Sequence, residues 1–217
     1  MADLSTSVAT RVEVHQLGLI EYQAALTHQR EVHAQVADGI TPPTLLLLEH
    51  PSVYTAGRMT KDFERPQDGT PVIDVDRGGK ITWHGRGQIV GYPIVPLAKR
   101  NEVVGYVRAI EGALIEFCRS LGINAENFCD RTGVWIRDSN GDRKIAAIGV
   151  RVARGVTMHG FALNVNPDLA EFSKIIPCGI ADADVTSLSQ ELGRNVTIEE
   201  ISPTVQGYIL TALERVI

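Results

Sequence analysis

The sequence predicts one α+β (mixed α/β) domain in which mixed sheets pack with helices. Three observations lead to it. Apolar residues recur at helical spacing in three separate segments. Between them, strand-length runs come in groups, not in the regular alternation of a parallel α/β sheet. The chain has 217 residues, 44% hydrophobic and 22% charged. That suits a single core, which at this size hides roughly 70% of the surface of the unfolded chain. No internal repeat, low-complexity tract or linker divides it. The domain is read as residues 12–217, with residues 1–11 a flexible polar tail.

The elements follow in order. Residues 12–17 alternate and predict a strand. Tyr22, Leu26, Gln29, Val32, His33 and Val36 recur at helical spacing, and Gly39 with Pro42-Pro43 ends that helix. Residues 44–48 are a solid apolar run of strand length, expected to be buried on both faces. Strands are expected at 72–75, 80–83 and 89–95, the last two joined across Gly85 and Gly87. Asn101 is a plausible N-cap for a helix whose stripe is Val104, Val107, Ile110, Leu114, Phe117, Cys118 and Leu121, with Gly122 as its stop. A strand at 134–136, turn residues at 138–142 and a strand at 144–152 predict a hairpin, and 156–165 adds another strand. Thr197 and Glu200 have the spacing of a capping box before a last helix through Val205, Leu210 and Leu213. Pro203 leaves open a start at Ser202 instead.

The formal net charge of −5 gives no support to a nucleic-acid partner. No apolar run approaches the roughly 18 residues a membrane span needs, so no membrane partner is expected. The first residues carry neither a basic nor an apolar signal region. Three cysteines, Cys118, Cys129 and Cys178, are too few and odd in number for a disulfide framework. They fit a reducing compartment, and a cytoplasmic location is expected. The six histidines are scattered, so no metal site is expected; no cofactor is expected either.

A thiolate is the strongest nucleophile on offer. Cys118 lies on an apolar helical stripe and reads as core, and Cys129 reads as structural or incidental. Cys178 sits between Pro177 and Gly179, a φ-locked and a permissive residue. Such a turn suits a placed nucleophile. It equally suits a buried cysteine in a tight loop, and the local sequence leaves both open. A thiol of pKa about 8.5 needs a neighbouring cation, histidine or helix N-terminus to be reactive at neutral pH. Lys144, which opens an apolar strand, is the candidate cation, or else a solvated edge charge; His84 and His159 are the candidate imidazoles. The stretch 77–88 holds four glycines. It lacks the Lys-Ser/Thr ending of a phosphate loop, and a strand follows where a dinucleotide fingerprint needs a helix. It reads as a tight hairpin, or as a floor on which an acyl chain lies against backbone.

Several motifs then stand in one order: Leu-Leu-Glu-His-Pro from Leu47, Tyr-Thr-Ala-Gly-Arg from Tyr54, Arg77-Gly78-Gly79 with Thr82-Trp83-His84-Gly85, Gly-Gln-Ile-Val-Gly-Tyr-Pro from Gly87, Lys144-Ile145-Ala146-Ala147-Ile148-Gly149, His159-Gly160-Phe161-Ala162-Leu163-Asn164 and Pro177-Cys178-Gly179. As a set they resemble the lipoate-protein ligase B family, the lipoyl(octanoyl) transferases, over nearly the whole chain. The resemblance implies the fold shared by the biotin-protein ligase and lipoate ligase catalytic domains. It implies transfer of an octanoyl or lipoyl group from acyl carrier protein to a lysine of lipoyl domains, those of 2-oxoacid dehydrogenases and of the glycine cleavage H protein. Cys178 matches the family's acyl-thioester cysteine and Lys144 its catalytic lysine. Arg77, Gly78, Gly79, Lys80, Ile81, Thr82, Trp83 and His84 match one substrate-binding stretch; Ala147, Ile148 and Gly149 a second; Gly160, Phe161 and Ala162 a third. Arg86 departs from the proline the family usually carries there. Arg58, Arg77, Lys80, Arg86, Arg151 and Arg154 are read as a basic rim suited to an acidic carrier. Two rival functions stand beside this one: an ATP-dependent ligase of the same fold, and a non-catalytic acyl-binding protein.

Overall fold

The computed structural model of the chain describes residues 11–99, 102–129, 131–175 and 184–217. Its strands are β1 (Glu13–Leu19), β2 (Thr44–Glu49), β3 (Val53–Ala56), β4 (Val72–Asp74), β5 (Ile81–His84), β6 (Gln88–Ile94), β7 (Ala125–Glu126), β8 (Val134–Asp138), β9 (Gly141–Ala153), β10 (Val156–Asn164) and β11 (Asp184–Val185). The helices are α1 (Tyr22–Ala37), α2 (Val103–Ser120), α3 (Leu188–Leu192) and α4 (Ile198–Leu213), with 3₁₀ turns at Asp62–Glu64 and Leu169–Lys174. The main sheet runs β1-β2-β6-β10-β9-β8-β7, with β11 alongside β9, and a smaller sheet runs β4-β3-β5. Pairing is mixed: β1 with β2 and β11 with β9 are parallel, while β2–β6, β6–β10, β10–β9 and β9–β8 are antiparallel. This is the mixed α/β domain that the grouping of strands predicts.

The apolar run in β2 is explained by helices on both sides of the sheet. Leu45 and Leu47 join the larger core with Tyr106, Leu114 and Phe117 of α2 and Val205 and Ile209 of α4. Leu46 and Leu48 point the other way, to Ala25, Val32 and Val36 of α1. A strand covered on both faces has no polar side, so its sequence cannot alternate.

Several expectations are corrected here. Val104 does not join the stripe of α2 and is 73% exposed. It lies six residues before Ile110, roughly 120° off the stripe at about 100° per residue. Tyr106 takes the inward place. Asn101 and the expected tail, apart from Arg11, lie outside the described residues. The last helix starts at Ile198, with Thr197 as N-cap accepting from Glu200 N–H at 3.3 Å. Pro203 is inside that helix on its exposed side, where the hydrogen bond it cannot donate faces water. Finally, β5 and β6 do not pair with each other. β5 pairs with β3, and β6 with β2 and β10, so the Gly85–Gly87 turn carries the chain from the small sheet to the large one.

Candidate active site

The site forms where three segments distant in sequence meet. β9 and β10 pair so that Ala147 lies opposite Ala162, Ile148 opposite Phe161 and Gly149 opposite Gly160. Residues 147–149 and 160–162 are therefore one patch, fixed by strand register. The 77–80 loop closes over it, tied by Gly78 N–H donating to the Val150 carbonyl at 2.9 Å. Missing side chains allow the approach. A methyl on Gly57 would lie 2.4 Å from the Gly79 carbonyl oxygen, and one on Gly149 3.1 Å from that of Gly78. Patch and loop enclose a cleft of about 440 Å³, within the range of small-molecule sites.

Arg77 shapes the loop. Its buried guanidinium donates to the carbonyls of Gly78 at 3.1 Å, Lys80 at 2.8 Å and Thr55 at 2.8 Å, and to the Thr55 hydroxyl at 2.9 Å. Lys80 pairs with the buried carboxylate of Glu64. Along β5 the two-residue period sorts the side chains. Thr82 and His84 face the cleft, while Ile81 and Trp83 point into a separate core cluster with Tyr54, Phe172 and Ile175. Ile81, Trp83 and Gly78 thus stand behind the wall, and Gly79 and Lys80 on it.

Lys144 enters the cleft from β9. It is 6% exposed, and its Nζ lies 4.5 Å from the centroid of the Trp135 ring, within cation–π range. Its backbone pairs with Val185 of β11, and its carbonyl accepts from Thr186 N–H at 2.9 Å. Asn164 donates to the Thr186 carbonyl at 2.9 Å and accepts from Gln88 Nε2 at 2.9 Å. Gln88 Oε1 in turn lies 3.3 Å from His84 Nδ1. Buried polar groups so linked hold the strands beside Lys144 in one arrangement.

The far end is a cluster of tyrosines and neutral imidazoles. Tyr22 stacks on His84 at 6.2 Å between ring centroids. His50 Nδ1 donates to the Ile20 carbonyl at 2.8 Å, which leaves Nε2 to accept from Tyr92 Oη at 2.9 Å. Burial pushes the pKa of His50 down, and burial with the charges of His50 and Arg77 pushes that of His84 well down. At His159, burial first, then Arg77, Arg151 and Arg30, push the pKa down to about 3. His159 Nε2 donates to Asp76 Oδ1 at 2.8 Å, but that carboxylate is shared with Arg151 and does not restore the charged ring. Burial raises the pKa of both Tyr22 and Tyr92.

Sequence reasoning did not find Tyr22, Met59, Tyr92, Arg131 and Thr132, which also line the cleft. Tyr22 gave only a helical-stripe signal, and Thr132 sits in a loop with none. Among the expected rim cations, Arg151 pairs with Asp76, Arg154 with Asp38 and Lys80 with Glu64, while Arg77 is buried. Arg58, Arg86 and Arg154 are exposed, Arg86 on the β5–β6 turn. Cys178 lies outside the described residues. Cys118 is buried in the core, which pushes its thiol up to about 12, and Cys129 is exposed. No group of His, Cys, Asp or Glu among the described residues could hold a metal ion. No described helix is long and apolar enough to cross a membrane.

The fold is that of lipoate and biotin protein ligase catalytic domains. Solved structures share that fold. A bi-partite lipoate protein ligase from Thermoplasma acidophilum superposes with a TM-score of 0.72 at 15% identity, covering 94% of this chain and 84% of that one. Biotin protein ligase from Aquifex aeolicus superposes at 0.52 with 12% identity, covering 95% and 70%. The chain belongs to the lipoyl protein ligase A/B catalytic domain family, whose model matches residues 21–209. It is 63% identical over 190 residues to an octanoyltransferase of Acidothermus cellulolyticus, covering 87% of this chain and 86% of the relative. It is 56% identical over 212 residues to an octanoyltransferase of Mycobacterium tuberculosis, covering 97% and 91%.

Proposed function

We propose that the chain is an octanoyltransferase that passes the acyl group from the thioester of acyl carrier protein, through Cys178, to a lysine of lipoyl domains. The acceptors are those of 2-oxoacid dehydrogenases and of the glycine cleavage H protein, and the reaction is cytoplasmic. Residues 12–217 form the catalytic domain. The observation that carries the reading is Lys144: a lysine buried in an acyl-sized cleft, at the place where the chain carrying Cys178 is anchored. Ile175, three residues before Cys178, packs in the cluster behind β5, and Val185, seven after it, pairs with Lys144.

The chemistry divides into two half-reactions. The Cys178 thiolate, favoured by the Lys144 ammonium, attacks the donor carbonyl. The tetrahedral intermediate expels the carrier thiolate, which takes a proton from Lys144. The acceptor amine then attacks the Cys178 thioester, gives its proton to the neutral Lys144 amine and releases the Cys178 thiolate. Atoms and charge return to the starting state. The 147–149 and 160–162 patch and Thr82 form the wall against which the acyl chain lies.

Intact-mass analysis after exposure to octanoyl carrier protein tests this. An octanoyl adduct is expected on the wild type, on Cys118→Ser and on Cys129→Ser, and none on Cys178→Ser. An adduct that survives on Cys178→Ser would overturn the nucleophile. An adenylate formed only with ATP would move the protein to the ligase reaction, and binding without either product to the non-catalytic reading.

A further inference from the structure

Glu111 is a buried carboxylate that the reaction above does not use. It lies on α2, is 0% exposed, and does not line the cleft. Charged carboxylates are rare in cores unless every oxygen is satisfied. Here Oε1 accepts from Gly133 N–H at 2.8 Å, and Oε2 accepts from Arg108 Nη1 at 2.6 Å and Asn127 Nδ2 at 3.3 Å. Arg108 also donates to the carbonyls of Phe128 at 3.1 Å and Cys129 at 3.3 Å. One carboxylate and its arginine therefore grip the segment that leads into β8 at four of its residues.

That segment ends on the cleft. Arg131 and Thr132 line it, and the Arg131 carbonyl accepts from Trp135 Nε1 at 3.3 Å. Gly133 has φ +120° and sits against the lysine stem. A methyl built on it would come within 2.6 Å of the Ala146 carbonyl oxygen and 3.3 Å of Lys144 Cε. Lys144 thus has the Gly133 backbone beside its methylenes and the Trp135 ring facing its ammonium. The first wall belongs to the stretch that Glu111 holds, and the second follows two residues further on, in β8.

We infer that Glu111 is a positioning residue for Lys144, its carboxylate fixing Gly133 and Gly133 fixing the lysine stem. The inference rests on the catalytic role proposed for Lys144. A lysine that must serve Cys178 and then the incoming amine has to stay within a fraction of an ångström of one place.

The test uses the full chain carrying Cys129→Ser, so that exposed Cys129 does not react. Three readouts are taken: kcat and KM for a small octanoyl thioester, the rate of Cys178 alkylation against pH, and Tm. Glu111→Ala is expected to lower kcat by about tenfold or more with KM within about threefold. Its alkylation profile should move to higher pH, as that of Lys144→Ala should when the neighbouring cation is lost. Glu111→Gln keeps an acceptor for Gly133 N–H, and should keep kcat within about threefold and the wild-type profile. If Glu111→Ala does not fold, Glu111→Asp carries the test, since it keeps the charge but withdraws the carboxylate from Gly133. It should reproduce the kinetic loss and the shifted profile. A folded Glu111→Ala with wild-type kcat and profile would sink this inference alone, provided Lys144→Ala is impaired. So would equal impairment of the alanine and glutamine variants. Wild-type behaviour of Lys144→Ala would sink the role of Lys144 itself, and this inference with it.

Discussion

His159 combines an uncommon backbone with a strongly lowered pKa. Its φ is +57°, a region that non-glycine residues rarely adopt. Its N–H donates to Gln29 Oε1 at 2.6 Å and its ring to Asp76, so the conformation is held from both ends. With a folded pKa of about 3, below the ordinary 6.5, the folded protein resists a proton that the unfolded chain accepts. Stability contributed by the neutral ring is therefore present above pH 6.5 and is lost as pH falls from there towards 3. The loss is on the order of a few kcal/mol at most, since a protonated ring would regain some energy from Asp76. His50 and His84 push in the same direction. Thermal melts at pH 7, 6, 5 and 4 should show a falling Tm, with a shallower fall in His159→Asn, which tolerates positive φ. Parallel falls in the two proteins would show that His159 has no share in it. Of the residues in this region, Lys144 was legible as a lone cation opening an apolar strand. His159 was legible only as a histidine before a glycine, because its partner Asp76 stands 83 residues away. Thr82 and His84 could not be told from Ile81 and Trp83 by motif, but strand alternation separates them.

Long elements were legible because periodicity needs length; among the short ones β4, β5 and β8 were read as strands, while β3, β7 and β11 were not. α1, α2, β2, β9 and β10 carry enough residues for a pattern. β3, β7, β11, α3 and the two 3₁₀ turns do not, yet they shape the site: β11 backs Lys144, and the Leu169–Lys174 turn brings Phe172 against Trp83. Glycines inside elements show the same dependence on surroundings. Gly112 lies within α2, and a methyl built there meets nothing within 4 Å. Gly112→Ala should stabilise by about 0.5–1 kcal/mol by removing backbone freedom from the unfolded chain. For a domain of this size that raises Tm by about 1–4 °C in calorimetry. A lowered Tm would mean that the groove between α2 and α4, which Gly112 lines with Pro203, Gly207 and Tyr208, closes over this position in solution. Gly160 lies within β10, and a methyl there would stand 2.1 Å from the Gly91 carbonyl oxygen. Gly160→Ala should therefore force β6 and β10 apart and lower Tm, the opposite sign for the same chemical change.

In the proposed reaction one cleft serves two protein substrates, and this sets the expected kinetics. On that reading the acyl donor and the acceptor lysine are each tethered to a folded protein, and both reach Lys144 past the exposed lining residues Met59 and Thr132. The proposed thioester on Cys178 would let them come in turn, the spent carrier leaving before the lipoyl domain docks. Thioester to amide is downhill, so no nucleotide is needed to drive transfer. Initial rates measured against octanoyl carrier protein at several lipoyl-domain concentrations should give parallel double-reciprocal lines. The lines should not change on adding ATP or a chelator. Intersecting lines would mean that the acceptor lysine attacks the carrier thioester directly in a ternary complex, which leaves Cys178 without an intermediate. Strict dependence on ATP would mean that the lysine in this cleft binds an activated acid, as the rival ligase reading requires.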